Sequence, residues 1–355
     1  MKNVMLVGGG KIGFAIAEFL SGSGDYRVTV ADRDAAALAR MPQSVERRKV
    51  VIENPEHFAR EIAGHDIVLS ATPYYLNAII AEAARMAGAH YLDLTEDVES
   101  TRFIKALADG APTAFIPQCG LAPGFISIAA YDLTRRFDSL RDVSMRVGAL
   151  PVFPANALKY NLTWSTDGLI NEYCNSCEAI RDGVRGEVPA LEEVEHFALD
   201  GTHYEAFNTS GGLGTLCDTL EGKVENLNYK TVRYPGHRDI VKMLVRDLRL
   251  GTRRDILKDV LETAIPVTAQ DVVLIFITAT GWRDGLLTQE SIAKKIYARE
   301  ISGRIMSAIQ ITTAAGICAM CDLLAAGKLP QQGFVRQEEC RLDDFLANRF
   351  GGYYA

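Results

Sequence analysis

The sequence lacks the features that mark nucleic-acid-binding, secreted or membrane proteins. It has no basic excess, since 38 Lys and Arg stand against 45 Asp and Glu, a formal net charge of −7 at pH 7. This balance argues against nucleic acid or an anionic membrane surface as a partner. No basic segment precedes an apolar run near the N-terminus, and charge or glycine interrupts the longest apolar stretches. Neither a signal peptide nor a membrane span is therefore expected, and we expect a cytoplasmic location.

Cysteine is too sparse for a disulfide framework. Seven cysteines in 355 residues are typical of reduced thiols. Two C-x-x-C pairs, Cys174 with Cys177 and Cys318 with Cys321, have a spacing that can bind zinc. Both pairs fall in segments whose pattern indicates a helix, and we interpret them as buried packing residues. No metal is expected.

The first 32 residues carry the most specific motif. A short apolar run predicts a strand buried on both faces of a parallel sheet, and the glycine turn at residues 8–13 follows it directly. In that turn Gly8 allows the tight bend, Gly10 lets the backbone approach a pyrophosphate, and Gly13 lets helix and strand pack closely. The helix that follows has its N-terminus towards the phosphates. This pattern predicts a dinucleotide-binding domain.

The residue after the second predicted strand indicates which nucleotide binds. Asp32 lies 19 residues beyond Gly13. A carboxylate there accepts hydrogen bonds from the adenosine ribose 2′-OH and repels a 2′-phosphate, which favours NAD over NADP. Arg33 leaves NADP open, because a guanidinium at this position can meet a 2′-phosphate or stack on adenine.

Strand and helix signals alternate up to the turn at residues 118–124 and predict five or six β-α repeats. Two of the predicted strands end in polar residues, near Thr72 and at Asp93. Ligands bind beyond the carboxyl ends of the strands in doubly wound sheets, so the first of these turns is expected to line the cofactor. The residues that we expect to bind the cofactor are Gly8, Gly10, Lys11, Ile12, Gly13, Asp32, Arg33, Ala71, Thr72, Pro73 and Gly120.

From residue 121 the pattern changes to longer strands and irregular loops, without repeats or a low-complexity linker. Strands are predicted at residues 143–147, 158–164, 204–208, 230–233 and 272–280. Helices are predicted at residues 125–137, 169–180, 211–220, 240–247 and 256–263. A mixed sheet covered by helices fits this part, and a final apolar helix at residues 305–325 can return to the first domain.

Seven segments after residue 118 occur in an order found in a known family, at residues 119–124, 147–151, 160–165, 169–173, 179–183, 205–207 and 233–237. Together they resemble the saccharopine dehydrogenase superfamily, and its lysine 6-dehydrogenase branch most of all. The resemblance implies an α/β fold with three parts. A Rossmann-type doubly wound parallel sheet occupies residues 1–121, an inserted α+β substrate and dimerisation domain with a mixed sheet occupies 122–304, and a C-terminal helix and tail at 305–355 return to the first domain.

The same resemblance implies a pyridine nucleotide cofactor, an amino-acid substrate with a basic side chain, and a homodimer. Lysine 6-dehydrogenases oxidise the ε-amine of L-lysine with NAD to allysine, which cyclises to piperideine-6-carboxylate, and release ammonia. We therefore expect an NAD(P)-dependent oxidoreductase acting on CH–NH or CH–NH2 donors.

Two alternatives stay open. The nearest is a saccharopine dehydrogenase, or a related reductase that joins an amine and a keto acid. Such enzymes commonly carry an aspartate where this chain has Ala122 and a histidine near Ser127, a departure that favours lysine. They also need extra cations, for which the candidates are Arg146, Lys159 and Arg238. The other alternative is a non-catalytic dinucleotide-binding sensor, because the fold of the first domain would be the same.

The chemistry needs an acceptor for the amine proton, and two residues are candidates. Asp93 ends a strand on the cofactor side, where a partly buried carboxylate beside an ammonium can accept a proton. It can equally be a helix cap or turn residue. His237 follows a Pro-Gly turn and titrates near neutrality, although a structural histidine bonded to backbone is the alternative.

The substrate's carboxylate calls for a planar guanidinium. Arg233 is the best placed in sequence, and Arg181 is second, with a solvated hairpin charge as its alternative. Glu172 can bind an ammonium or face water. The remaining candidates are aromatic or hydroxyl side chains that can wall the substrate or nicotinamide, each with core or surface packing as its alternative: Tyr74, Tyr160, Thr163 and Trp164.

Overall fold

The structure is a computed structural model that describes all residues from Met1 to Ala355. The chain forms two compact units, one of residues 1–128 with 310–355 and one of residues 129–309. The domain limits expected after residues 121 and 304 stay a prediction.

The N-terminal part of the first unit alternates strand and helix. Its elements are β1 (Lys2–Val7), α1 (Lys11–Gly22), β2 (Tyr26–Asp32), α2 (Ala35–Ala39), β3 (Glu46–Lys49), α3 (Pro55–Ile62), β4 (Ile67–Ser70), a 3-10 turn (Tyr74–Leu76), α4 (Asn77–Ala87), β5 (His90–Asp93), α5 (Val98–Leu107), β6 (Ala114–Ile116) and α6 (Phe125–Thr134), which continues into the second unit. Local capping sets these limits. Asp34, Asn54 and Asp97 cap α2, α3 and α5 through their side chains, and Gly88 ends α4 in the left-handed conformation.

The second unit is built on a mixed sheet of eight strands. Its elements are β7 (Ser139–Pro151), α7 (Thr166–Cys174), β8 (Cys177–Arg181), β9 (Val184–Val188), β10 (Glu195–Leu199), β11 (Thr202–Asn208), α8 (Leu216–Leu220), β12 (Asn226–Arg233), α9 (His237–Lys242), a π-helical turn (Met243–Asp247), a 3-10 turn (Leu250–Thr252), α10 (Arg254–Ala264), β13 (Asp271–Arg283), β14 (Leu286–Tyr297), β15 (Arg299–Ile301) and β16 (Arg304–Met306). The strand order is β10-β11-β12-β7-β13-β14, with β8 paired to β12 and β9 to β8. Only β12 and β7 are parallel, so the sheet is mixed, as predicted.

The C-terminal segment belongs to the first unit. Its elements are α11 (Ala308–Ala325), β17 (Gly333–Phe334), a 3-10 turn (Gln337–Glu339), α12 (Leu342–Ala347) and a final 3-10 turn (Gly351–Tyr354). With β17 the parallel sheet has seven strands in the order β17-β6-β5-β4-β1-β2-β3, which confirms the predicted α/β fold class. By length and composition α11 could cross a membrane, but 78% of it is buried, which is typical of a core helix.

Several predicted elements of the second unit are wrong. Residues 158–164 do not form a strand, apart from one bridge between Leu162 and Val267. The side-chain amide of Asn156 donates to the carbonyl of Tyr160 and accepts from its backbone N–H, and Lys159 has a φ of 51°. A local turn therefore replaces the strand.

The helix predicted at 169–180 ends at Cys174, because Asn175 is extended, and Cys177 already belongs to β8. The first C-x-x-C pair is therefore not helical, whereas Cys318 and Cys321 lie on α11 as predicted. The helix predicted at 211–220 shrinks to the five residues of α8, since Gly211 has a φ of 89°.

Candidate functional site

The glycine turn after β1 has the shape that a pyrophosphate requires. Gly8 has a φ of 104°, and a Cβ on it would lie 2.6 Å from the carbonyl oxygen of Ala71. A Cβ on Gly13 would overlap the carbonyl oxygen of Gly8, so these two glycines hold turn, helix and strand together. A Cβ on Gly10, in contrast, would meet no heavy atom within 4 Å. This open space lies at the N-terminus of α1, where no side chain caps the helix, and it fits a phosphate-bearing cofactor.

The carboxylate of Asp32 is fixed beside this turn. Its Oδ2 accepts a hydrogen bond of 2.6 Å from the backbone N–H of Gly9, and its Oδ1 accepts one of 2.8 Å from Asp34. Arg33 and Lys11 are exposed, and neither side chain makes a hydrogen bond. A negative charge is thus held at the end of β2, next to the glycine turn.

The end of β4 carries the other predicted cofactor residues. Ala71 and Thr72 are half-buried, and the hydroxyl of Thr72 lies 2.9 Å from that of Ser70. Pro73 is exposed, and Tyr74 is half-buried with its ring edge-on to Tyr75. The two remaining predicted cofactor residues, Ile12 and Gly120, are half-buried and buried, respectively.

Asp93 ends β5 and is fully buried. Its Oδ1 accepts hydrogen bonds from the backbone N–H groups of Thr95 (2.9 Å) and Gln118 (3.0 Å), and its Oδ2 accepts one from the hydroxyl of Tyr91 (2.9 Å). Burial raises the pKa of this carboxyl to about 6 in spite of these donors. It therefore braces the turns that follow β5 and β6.

The second unit contains a buried guanidinium that makes no ion pair. Only two cationic side chains of the chain are buried, Lys230 at 4% exposure and Arg233 at 3%. Lys230 pairs with Glu195 at 2.6 Å. Arg233 makes no ion pair; its Nε donates to the hydroxyl of Tyr173 (3.0 Å), and its Nη1 donates to the carbonyl of Val232 (2.9 Å).

Aromatic rings surround this guanidinium. Its Cζ lies 4.8 Å from the centre of the Tyr160 ring and 5.9 Å from that of Tyr173. Burial opposes the charge on Arg233, but electrostatic interactions with Tyr173, with Tyr160 and then with Glu172 outweigh it and raise the pKa of Arg233. Glu172, one residue before Tyr173 on α7, is itself buried at 8% exposure.

His237 is the first residue of α9 and is 1% exposed. Its Nδ1 lies 2.8 Å from the carbonyl oxygen of Leu158, and its Nε2 lies 3.0 Å from the hydroxyl of Tyr173. Burial and then the charge of Arg233 lower the pKa of His237 to about 3. The ring is thus neutral at neutral pH, and both of its nitrogens are engaged.

The irregular segment before α7 holds unsatisfied polar groups. The hydroxyl of Tyr160, the side-chain oxygen of Asn161 and the hydroxyl of Thr163 are all buried and make no well-aligned hydrogen bond, although the two hydroxyls lie close to each other. Such groups cost free energy unless a ligand or water completes them. Trp164, next to them, is half-buried.

Other predicted residues are engaged elsewhere. Arg181 is exposed at the end of β8 and pairs with Glu193, so it has the solvated hairpin position named as its alternative. Arg146 pairs with Glu195 at 2.7 Å, and Arg238 pairs with Glu192 at 2.9 Å.

Lys159, the third cation considered for saccharopine, donates to the carbonyl of Pro235 at 2.9 Å from an exposed position. The two C-x-x-C pairs belong to different units, all seven cysteines are free, and no group of His, Cys, Asp and Glu is placed to hold a metal ion.

Tyr173 is not among the site residues predicted from the sequence. It lies in one of the resembling segments, beside Glu172, but nothing in the local pattern shows that its hydroxyl meets residues 60 and 64 positions away. Only the fold brings α7, the end of β12 and the start of α9 together.

Comparisons with known proteins agree with the fold. A sequence model described as "Saccharopine dehydrogenase C-terminal domain" matches residues 120–350, and one described as "Saccharopine dehydrogenase NADP binding domain" matches residues 4–114. A solved structure of apo saccharopine dehydrogenase (L-Glu forming) from Saccharomyces cerevisiae superposes with a TM-score of 0.78 at 17% identity, covering 95% of this chain and 94% of that one.

Two fungal relatives are named saccharopine dehydrogenase (NADP(+), L-glutamate-forming). That of Pyricularia oryzae is 22% identical over 278 residues, or 75% of this chain and 61% of the relative. That of Saccharomyces cerevisiae is 24% identical over 259 residues, or 69% and 57%. The match therefore spans about 60% of the length of these relatives. The chain belongs to the saccharopine dehydrogenase family.

Proposed function

We propose that this protein is a nicotinamide-dinucleotide-dependent oxidoreductase that deaminates the ε-amine of L-lysine to allysine and ammonia. When bound, the dinucleotide accepts a hydride from the carbon that carries the amine. The chain itself must hold the substrate and take up the amine proton. The glycine turn with its open space at Gly10 supports the cofactor part of this proposal.

One observation carries the choice of substrate. Arg233 is the buried cation of the chain that makes no ion pair, whereas Arg146, Lys230 and Arg238 are paired with glutamates. A buried charge without a partner is costly, and an anionic ligand group removes that cost. One such guanidinium in the second unit suits a substrate with one carboxylate, as in lysine, better than the three carboxylates of saccharopine.

Asp93 stays our proposed proton acceptor. Its position at the carboxyl end of β5 and its pKa of about 6 support this role, because a carboxylate with that pKa is ionised at neutral pH yet holds a proton more readily than an ordinary aspartate. His237 was the other candidate. With both nitrogens engaged and a pKa of about 3, it is a poor acceptor, and we assign it a different role below.

Saccharopine dehydrogenase is the second candidate, because the curated relatives and the superposed structure carry that name. NADH or NADPH formation at 340 nm with L-lysine and with saccharopine separates the two. Lysine-dependent reduction with ammonia release supports the first, and glutamate release from saccharopine supports the second. Tight dinucleotide binding without turnover of either would instead support the non-catalytic sensor.

A variant tests the carboxylate site. Arg233→Gln removes the charge, and a lost charge-assisted contact of about 2–3 kcal/mol corresponds to a roughly 30- to 150-fold rise in KM for lysine. Arg181→Gln is the matched control, since that guanidinium is exposed and already paired. Equal KM values in both variants would contradict the assignment.

We further propose that NAD is preferred over NADP, although the matching sequence model and the fungal relatives are named for NADP. The fixed carboxylate of Asp32 supports this, because a 2′-phosphate beside it meets a like charge. Asp32→Asn keeps an acceptor for Gly9 and removes the charge, so the preference for NADP should rise at least about tenfold. Asp34→Asn, which removes a neighbouring charge that caps α2, should leave the preference unchanged.

A homodimer and a cytoplasmic location also stay proposals, based on the resemblance and on composition. Light scattering of the purified protein tests the first, and fractionation of expressing cells tests the second.

A further inference from the structure

The direction of each hydrogen bond between Arg233, Tyr173 and His237 follows from elimination. The carbonyl of Leu158 can only accept, so Nδ1 of His237 carries the hydrogen. The ring is neutral, so Nε2 has none and accepts from the hydroxyl of Tyr173. The oxygen of Tyr173 is then left to accept from Nε of Arg233. The three side chains form one directed relay.

This relay leaves a defined part of the guanidinium unused. Arginine has five N–H groups, and two of them are engaged here, the one on Nε by Tyr173 and one on Nη1 by the carbonyl of Val232. The remaining three lie at the Nη1 and Nη2 end. The ring of Tyr160, 4.8 Å away, lies against the planar face. The guanidinium is therefore held on one edge and one face, with the edge that matches a carboxylate in a bidentate pair left over.

We propose that Tyr173 and His237 are positioning residues that orient Arg233, so that the site selects substrates with an α-carboxylate over the corresponding simple amines. This inference rests on the proposed function and extends it to the substrate class. Tyr173 acts directly on Nε, and His237 acts through Tyr173 by taking its hydroxyl hydrogen. Without this hydrogen bond the planar fork can rotate about its side-chain bonds, and the bidentate geometry is no longer prepared before binding.

Three ligands measure the selection: L-lysine, L-lysinamide, which lacks only the negative charge, and 1,5-diaminopentane, which lacks the whole carboxylate. Their affinities are measured by calorimetry with the intact protein, together with kcat and KM where turnover occurs. Saccharopine is included as a fourth, carboxylate-bearing ligand. We expect wild-type protein to bind lysine at least about tenfold more tightly than the amide or the diamine.

Tyr173→Phe keeps the ring and removes the hydroxyl. We expect it to lose roughly tenfold in affinity for carboxylate-bearing ligands, with little change for the diamine and with KM rising more than kcat falls. Tyr204→Phe is the matched control, a buried tyrosine of the same unit that packs against Phe197 and Tyr234 outside the relay. A merely structural role of Tyr173 would weaken all ligands alike.

Substitutions at His237 give a second test. His237→Gln offers an amide oxygen to Tyr173 and should keep part of the selection, whereas His237→Phe offers none and should lose it. Equal selection for the carboxylate in these two variants, or unchanged selection in Tyr173→Phe, would overturn the proposal. Turnover of lysine would in that case still support the proposed function. Selective binding that depends on Tyr173 without any turnover would uphold the relay and refute the function. Failure of lysine and of saccharopine to bind would refute both.

Discussion

Acidification should destabilise the second unit through His237. Burial, and then the charge of Arg233, lower the pKa of this imidazole from 6.5 to about 3. Between these two values the unfolded chain binds a proton that the folded chain does not. The contribution of His237 to stability is therefore complete above pH 6.5 and is lost progressively as the pH falls towards 3.

The size of the effect follows from the same values. A pH of 5 lies about 1.5 units below the pKa of the imidazole in the unfolded chain, so the unfolded chain is protonated there and the folded chain is not. This difference lowers the free energy of unfolding by about 2 kcal/mol relative to pH 7. Asp93 acts in the opposite direction, because its raised pKa makes the folded state take up a proton as the pH falls through 6. Carboxylates with lowered pKa values, such as Glu195 and Asp322, act in the same direction as His237, so the pH profile of the whole protein does not isolate the effect of His237.

The assay uses the position of the two tryptophans, Trp164 and Trp282, which both lie in the second unit. Urea unfolding followed by their fluorescence reports that unit, and the wild type is compared with His237→Gln at pH 7, 6 and 5. The difference in unfolding free energy should fall by about 2 kcal/mol over this range. A difference that does not change with pH would refute the buried neutral histidine.

A second measurement does not depend on the variant's folding. The 13Cε1 signal of His237 in labelled wild-type protein should not titrate between pH 8 and 5. A midpoint near 6.5 would contradict the geometry.

Two further predictions concern the first unit. Gly13→Ala should destabilise it by about 1–3 kcal/mol, because the new Cβ overlaps the carbonyl of Gly8. Gly10→Ala should instead leave thermal stability unchanged and weaken dinucleotide binding at least about tenfold. Thermal unfolding measures the first effect and calorimetry the second, and equal behaviour of the two variants would be evidence against the phosphate site. Asp93→Asn should lower kcat roughly 100-fold or more with the dinucleotide Kd unchanged, and an unaltered kcat in a folded variant would remove Asp93 from the mechanism.

The first unit could be predicted largely from local pattern. Its central strands are buried on both faces and therefore read as uninterrupted apolar runs, as β1 and β4 do. The exception is β3, which occupies Glu46–Lys49. It is one of the two edge strands of the sheet and consists of charged residues, so no apolar run marks it.

The second unit was less predictable because its strands carry weaker signals. The strands β9, β10 and β14 are missing from the sequence analysis, and they are largely exposed at the ends or edge of the sheet. The apolar pattern alone predicts helices over residues 211–220 and 169–180. Gly211 and Asn175 interrupt them, so the observed helices are shorter. Side-chain bonding of Asn156 to the backbone turned an alternating stretch into a loop.

Arg233 and His237 could be named from sequence because both lie in one short segment with a Pro-Gly turn. The orientation of Arg233 and the protonation state of His237 could not be predicted, since they depend on Tyr173, on Tyr160 and on burial. Because the unperturbed pKa of histidine lies near neutrality, sequence alone suggests that such a residue carries protons. In the fold, the same residue is neutral over the whole physiological range.

That neutrality is a condition for the proposed role of Arg233. A protonated His237 would place a second positive charge in contact with Tyr173 and would turn the hydroxyl of Tyr173 from a donor into an acceptor on that side. The oxygen of Tyr173 would then accept from two cations, and the extra charge would compete with Arg233 for a substrate carboxylate. The cluster avoids this by burying the imidazole and binding its one N–H to Leu158, so that the single positive charge of Arg233, with a fixed orientation, remains for the proposed carboxylate.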